Sequence, residues 1–246
     1  MKDYLQDIVQ HTHGLGVIDL AKIKCSEGVT ELEALDTINR LVIVKAKFHN
    51  PIAEFKGRFG LPNLGKLNTV LNIPEYREDS KISVTEKDDG NGNFDLDGIK
   101  FENKNGDFHN VYRLMKASIV DSQMPDSRQV KEPTWHVSFT PTNASIQKLR
   151  FQASANSEEI SFVAKTDGND LKFFFGDHSS HAGDFVFHAN VNGKVQKGWK
   201  WPVGVVMSIL ALPGDKTYRI CDDGLTEIIV DSGLAEYTYK IPALTK

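Results

Sequence analysis

The sequence predicts an α+β protein built from two similar domains, each with two short helices set against antiparallel sheets. Three observations carry this reading. Most apolar runs have period two or are continuous and β-branched, the segments with helical spacing are few and short, and the order of elements repeats. In the first copy Pro62, a helix, Pro74, a strand, a DDG turn, a strand, an NGD turn and a strand follow one another. In the second copy Pro202, a helix, Pro213, a strand, a DDG turn at 222–224, a strand, an SG turn at 232–233 and a strand do the same. Residue identity between the copies is low, so what repeats is the order of elements. The helices are too few and too clustered for alternating βαβ winding.

Taken in order, Tyr4, Leu5, Ile8 and Val9 have the spacing of an amphipathic helix that Gly14 and Gly16 stop. Strands are expected at Val17 to Ile23, Thr30 to Ile38, Leu41 to Phe48 and Phe55 to Phe59. Leu64, Leu67 and Leu71 then mark a second helix, with Pro62 suited to its first turn. Three further strands run from Lys81 to Thr85, Phe94 to Phe101 and His109 to Met115. Residues 117–133 lack a sustained period and carry two prolines, so they are expected to link domain 1–117 to domain 133–246, with 118–132 as the linker. In the second copy Thr134 to Phe139 alternates as a strand, and Thr142 caps a helix with Ile146, Leu149 and Ala153 on one face. Strands follow at Ile160 to Lys165, Leu171 to Phe175 and Phe185 to Ala189, with a further one reaching Trp201. The segment from Trp201-Pro202-Val203 through Leu210-Ala211-Leu212-Pro213 reads as a fourth short helix, opened and closed by prolines, and strands at Tyr218 to Cys221, Leu225 to Val230 and Tyr237 to Ile241 close the chain.

The 246 residues are 40% hydrophobic and 25% charged, which excludes disordered and collagen-like chains. With 29 Lys and Arg against 33 Asp and Glu, the net charge of −4 argues against a surface that grips nucleic acid all over. It leaves a local basic strip open. No run approaches the ~20 apolar residues of a membrane span, and the start MKDYLQDIVQ lacks a signal peptide's apolar core, so the expectation is a cytoplasmic protein with no membrane partner. Cys25 and Cys221 form no CxxC pair and are expected to be free thiols.

This element order, together with FGLPNLGKLNTVL (59–71), TWHVSFTPTNASIQKLRFQA (134–153) and LAEYTYKIPAL (234–244), resembles the DNA polymerase sliding clamps of T-even-type bacteriophages. More distantly, it is similar to proliferating cell nuclear antigen. The resemblance spans nearly the whole chain and rests on topology, length and these local patterns. One departure is that the first helix begins almost at Met1, so the leading strand of the first copy is absent or very short. The resemblance implies the DNA clamp fold and a ring of six domains, helices lining the hole, hence a homotrimer closed head to tail. It implies a non-enzymatic processivity factor without cofactors. Its partners would be double-stranded primer-template DNA, the replicative polymerase, an ATP-dependent clamp loader and further copies of itself, in the cytoplasm of a host cell if the protein is viral.

Residue by residue, the resemblance sets the subunit contact at strands His109–Met115 and Asp184–Ala189, with Val111, Tyr112, Leu114, Phe185 and Phe187 as its apolar groups. The same residues read equally well as ordinary core. A sliding ring needs lysines and arginines on its inner helices that hold phosphate without reading bases. Lys66 and Lys148 lie off the apolar helix faces, Lys2 and Lys216 are expected at helix ends, and Arg150 points sideways. Each is equally readable as a solvated helix charge. A partner peptide would enter an apolar groove for which Met124 and Pro125 of the linker and Tyr239, Ile241 and Pro242 of the tail are the candidates; the tyrosine could equally pack its sheet.

Other chemistry finds little support. His11 and His13, two apart on a helix, point about 200° from each other and cannot share a metal. Asp177, His178, His181 and Asp184 have ligand types suited to a metal hydrolase but fall in a polar loop, and DDGNGNFDLD (88–97) lacks the order of a calcium loop. No metal is expected, and no P-loop, G-x-S-x-G or H-E-x-x-H occurs. The alternative of another class is a structural virion protein, a tail or baseplate ring component built from a duplicated β-rich domain.

Overall fold

The computed structural model describes residues 1–88, 94–125, 132–176 and 181–244. The chain divides into two compact units, Met1–Ile38 with Val44–Gln129 and Gly233–Glu236, and Asn39–Ile43 with Val130–Ser232 and Tyr237–Lys246. The first contains α1 (Lys2–His11), a 3-10 turn at His13–Leu15, β1 (Leu20–Ser26), β2 (Val29–Leu35), β3 (Ile43–Phe48), β4 (Gly57–Pro62) and α2 (Leu64–Leu71). A 3-10 turn at Pro74–Tyr76, β5 (Lys81–Asp88), β6 (Phe94–Glu102), β7 (His109–Arg113), β8 (Met115–Lys116) and α3 (Ala117–Gln123) follow. The second unit is made of β9 (Val137–Phe139), α4 (Asn143–Ala155), β10 (Ser161–Asp167), β11 (Asp170–Phe175), β12 (Gly183–His188), β13 (Lys200–Pro202) and α5 (Val203–Leu210). It closes with β14 (Asp215–Cys221), β15 (Leu225–Asp231) and most of β16 (Ala235–Pro242).

In the first unit, strands run in the order β8-β4-β1-β2-β3, and a separate sheet has the order β5-β6-β7. In the second unit the orders are β16-β15-β14-β9 and β12-β11-β10-β13. The strand pairs whose registers are known are antiparallel. Alternation decides the faces. Across β1 and β2, Ala21 opposes Ala34 and Ile23 opposes Leu32, all fully or almost fully buried, while Lys22 opposes Glu33 and Lys24 opposes Glu31 on the other face. The turn between them places Glu27 and Gly28 at φ 51° and 75°, the positive pair that a two-residue hairpin requires.

The helices cover the apolar faces. Tyr4 of α1 meets Phe48 of β3 edge to face at 5.9 Å, which puts α1 over the side of the sheet that Val44, Ala46 and Phe48 share. In each unit the two principal helices pack against each other, α1 on α2 and α4 on α5. Both second helices are entered from a strand that ends in proline, β4 at Pro62 and β13 at Pro202. Pro62 therefore precedes α2, two residues before its first helical position Leu64, and does not stand in the first turn as expected. Asn63, at φ 53°, is the cap, and its side chain accepts from the Lys66 N–H at 3.1 Å. Thr142 caps α4 as expected, accepting from Ser145 N at 3.1 Å.

Two segments differ from the sequence reading. The single strand expected from His109 to Met115 is two: the chain leaves the three-stranded sheet after Arg113 and rejoins β4 as β8, with Phe59 opposite Lys116. The expected linker begins as helix α3, whose Val120 is fully buried against Gly60 of β4; a Cβ at Gly60 would come within 3.1 Å of Val120 Cγ2. One buried apolar residue in two turns leaves no periodicity to detect. The rest of that segment, 126–131, lies outside the described residues.

The second unit's core is aromatic. Phe173 of β11 stacks on Phe187 at 4.3 Å and on Phe162 at 4.4 Å, and Tyr218 approaches both Phe173 and Phe187 edge to face. Phe173 is fully buried. Phe173→Ala is expected to lower stability by about 3–5 kcal/mol, read as a reduced urea midpoint with unchanged m; a loss under ~1 kcal/mol would mean that the cluster is not the core. Among the described residues, no helix is long and apolar enough to cross a membrane.

Candidate nucleic-acid interface

The outward faces of the helices follow from what each helix buries. Helix α2 turns Leu64, Leu67, Val70 and Leu71 inward, so Lys66 and Thr69 are exposed. Helix α4 buries Ser145 and Leu149 and leaves Gln147, Lys148 and Phe151 exposed, with Arg150 half-buried between the two faces. Helix α5, VGVVMSIL, carries no charge, and its exposed positions are small or neutral. Lys66 and Lys148 are thus the exposed cations of these helices.

The two lysines expected at helix ends are spent elsewhere. Lys2, half-buried, donates to the Tyr76 carbonyl at 2.5 Å and the Arg77 carbonyl at 3.0 Å, holding α1 to the 3-10 turn after α2. Lys216 is not at a helix end: it lies in β14, donates to the Gly214 carbonyl at 2.9 Å, and is partly buried, which pulls its ammonium below the usual lysine range. Each ammonium thus has a carbonyl acceptor within the chain.

The edges of the sheets form the second feature. β7 closes one side of the three-stranded sheet and β12 one side of the four-stranded sheet, so each pairs with one strand only. On β7, Val111 is 39% exposed, whereas Tyr112 is buried and donates from its hydroxyl to the Pro62 carbonyl; burial, then the Asp19 carboxylate, pushes its phenol well up. Leu114 is half-buried after β7, and its N–H donates to Asp97 O at 3.0 Å. On β12, Phe185 is half-buried and Phe187 belongs to the aromatic core. Tyr112 and Phe187 are therefore interior residues, and Val111, Leu114 and Phe185 are the members of that set with surface to offer.

Sequence reasoning missed two apolar side chains at these edges. Phe108, just before β7, is 40% exposed, and Phe151 of α4 is 71% exposed on a helix that packs on β12. Phe151 was legible in principle, because it lies two positions from Leu149 and so off the Ile146, Leu149 and Ala153 face.

Met124, Tyr239 and Ile241, expected in a peptide groove, are buried within their own units, and Pro125 and Pro242 are exposed. Tyr237 and Tyr239 stack at 6.3 Å along β16, two residues apart on one sheet face. The tail beyond β16 is held by hydrogen bonds from Ala243 N to Gly224 O and from Leu244 N to Lys200 O, each 2.9 Å. Of the loop quartet, Asp177 and His178 lie outside the described residues, as do 89–93 of the calcium-like tract; His181 and Asp184 are exposed. Among the described residues, no group of three or more His, Cys, Asp or Glu could hold a metal.

No family model matches the sequence, and no curated protein matches it significantly. Solved structures do. A structure of the C-terminal region of FEN-1 bound to A. fulgidus PCNA superposes with a TM-score of 0.69 over 100% of this chain and 97% of that chain, at 11% identity. PCNA from Thermococcus kodakaraensis gives 0.67 over 98% and 97%, at 13% identity. The fold is that of the PCNA-type sliding clamps. The clamp fold covers both units, in keeping with the repeated element order and with the packed helix pairs α1 with α2 and α4 with α5. At this level of identity the likeness is one of backbone path, and the residues on the helix faces and sheet edges are particular to this chain.

Proposed function

We propose that this chain is a sliding clamp of the kind found in T-even-type bacteriophages, a homotrimeric ring that encircles double-stranded DNA and tethers the replicative polymerase, with no catalysis of its own. The observation that carries the reading is a PCNA-type fold over the whole length of a two-unit chain. Three chains then supply six units. Closure is head to tail, β7 of one copy adding to β12 of the next, with Val111, Leu114, Phe185, Phe108 and Phe151 as the apolar contacts. In this reading the two clamp domains are 1–117 and 133–246, joined by 118–132.

The mechanism is topological. Enclosure prevents dissociation, so contacts to DNA need only be weak and indifferent to sequence. Lys66 and Lys148, with Arg150 beside them, supply phosphate contacts that exchange as the ring moves. An ATP-dependent loader is required because a closed ring cannot thread onto a circular template. For the partner peptide, Pro125 and Pro242 are the exposed members of the candidate set.

The test is primer extension on a singly primed circular template with the cognate polymerase and loader, alongside the absolute molar mass in solution. Long products made in one binding event and a mass near three chains of 27.5 kDa are expected. No stimulation together with a stable ring would favour a virion ring component instead, and a strict monomer at high concentration would overturn the trimer.

A further inference from the structure

Between α1 and α2 lies an open cleft of about 420 Å³. It is lined by the buried Val9 and Leu71, the amides of Gln6, Gln10, Asn68 and Asn72, and His13 and Gly14. No Lys, Arg, Asp or Glu lines it. Of the charged residues nearest to it in sequence, Asp7, next to Gln6, is buried 3.3 Å from His11 Nδ1, Asp3 is exposed, and Lys2 donates to the carbonyls of Tyr76 and Arg77. Attraction by cations is therefore not what this part of the helical surface offers.

What it offers is amide donors. Gln6 and Gln10, four apart on α1, are exposed along one stripe. The Asn72 NH2 donates to the Asn68 main-chain carbonyl at 2.8 Å and to Asn68 Oδ1 at 3.0 Å. This occupies the Asn68 oxygen and leaves the Asn68 NH2 as the donor on the α2 wall. Lys66, two residues before Asn68, is exposed about 200° further round α2 and so lies outside the cleft.

We infer that this cleft holds a phosphodiester of duplex DNA through the uncharged NH2 groups of Gln6, Gln10 and Asn68, separate from the charged contact that Lys66 makes from another flank of α2. The inference rests on the clamp reading, in which these helices face the DNA. Asparagine and glutamine donors position a protein on the backbone without reading bases. Being neutral, they release no counterions, so they hold the duplex with a strength that salt barely changes, and water replaces them easily as the phosphate moves on. The two kinds of contact then divide the work: lysines draw the duplex to the helices, and the amides hold it there.

The two contributions separate on a salt titration. Binding of a fluorescent 30-base-pair duplex to the full chain is followed by anisotropy from low to physiological salt. The triple variant Gln6→Ala, Gln10→Ala, Asn68→Ala is expected to bind about tenfold more weakly at every salt concentration, with the slope of log affinity against log salt unchanged. Lys66→Ala should instead flatten the slope, by about 0.9 for each phosphate that the lysine neutralises. Gln10→Lys, which adds a charge at the cleft, should tighten binding and steepen the slope. Alanine at the exposed positions 6 and 10 favours the helix, so loss of fold does not imitate the result. Unchanged affinity in the triple variant, a changed slope in it, or no response to Gln10→Lys would overturn the cleft while leaving the clamp reading intact. A wild-type chain without affinity for DNA at the lowest salt, and without stimulation of the polymerase, would overturn the clamp reading and the cleft with it.

Discussion

Val111→Asp and Phe151→Asp are each expected to convert a three-chain ring into single chains, with the mass falling from about three times 27.5 kDa to 27.5 kDa and polymerase stimulation abolished. Both positions are exposed in the chain by itself, so a carboxylate there costs the fold little, within about 0.5 kcal/mol for an ordinary surface position. In a closed ring the same carboxylate would be taken out of water against an apolar neighbour with no cation to meet it, a cost of several kcal/mol at each contact. A ring has three such contacts, so the penalty falls three times on one assembly. Light scattering coupled to size exclusion reads the mass, and circular dichroism shows that the fold is kept. If both variants keep the mass of the wild-type chain, the β7 and β12 edges are not the subunit contact.

Lys22→Ala is expected to destabilise the first unit by about 3–5 kcal/mol. Lys22 stands in β1 with its side chain fully buried, donates to the Met124 carbonyl at 2.6 Å, and lies 3.5 Å from Asp121 and 3.6 Å from Glu33. Met124 is the residue that ends α3, where the carbonyls of the last turn and the negative end of the helix dipole meet a cation well. Truncation leaves the Met124 carbonyl without this donor and removes the charge between two carboxylates, so the cost exceeds that of the packing alone. Glu33 retains Lys24 at 3.3 Å and Lys45 at 3.5 Å, and Asp121 retains Arg58 at 2.7 Å. The larger part of the destabilisation is therefore expected at α3. Hydrogen exchange should show 117–124 opening first, while β10 and β11 keep their protection. Protection of α3 equal to that of the wild-type chain would mean that Lys22 does not hold it.

Lys22 and α3 show which parts of the structure were legible in the sequence. Strand and helix identity came through because period-two runs such as Thr30 to Ile38 and the Leu64, Leu67, Leu71 spacing report local geometry directly. Helix α3 was invisible, since it buries only Val120 and is held by a lysine about a hundred positions away in the chain. Lys22 itself reads as a surface charge in an alternating strand, and nothing nearby announces that Asp121 and Met124 will close over it. The break at Leu114 is of the same kind: the residues suit a strand throughout, and only the competing partners β6 and β4 divide it.

At the candidate interface, Lys66 and Lys148 read as lying off the apolar helix faces and are exposed, because the apolar residues of a short helix dictate which positions face out. The sequence could not tell that Lys2 and Lys216 are engaged by backbone carbonyls, nor that Tyr112 and Phe187 point into their own cores while Val111 and Phe151 point out. Alternation marks two faces of a strand, and it does not say which face has the thicker layer above it or where the sheet ends. The order of elements, their repetition and the short capped helices were thus determined by the sequence itself, through interactions that span a few residues. Edge strands, the disposition of each charge and the cleft between α1 and α2 were decided by tertiary structure, since each depends on groups from distant segments meeting at one place.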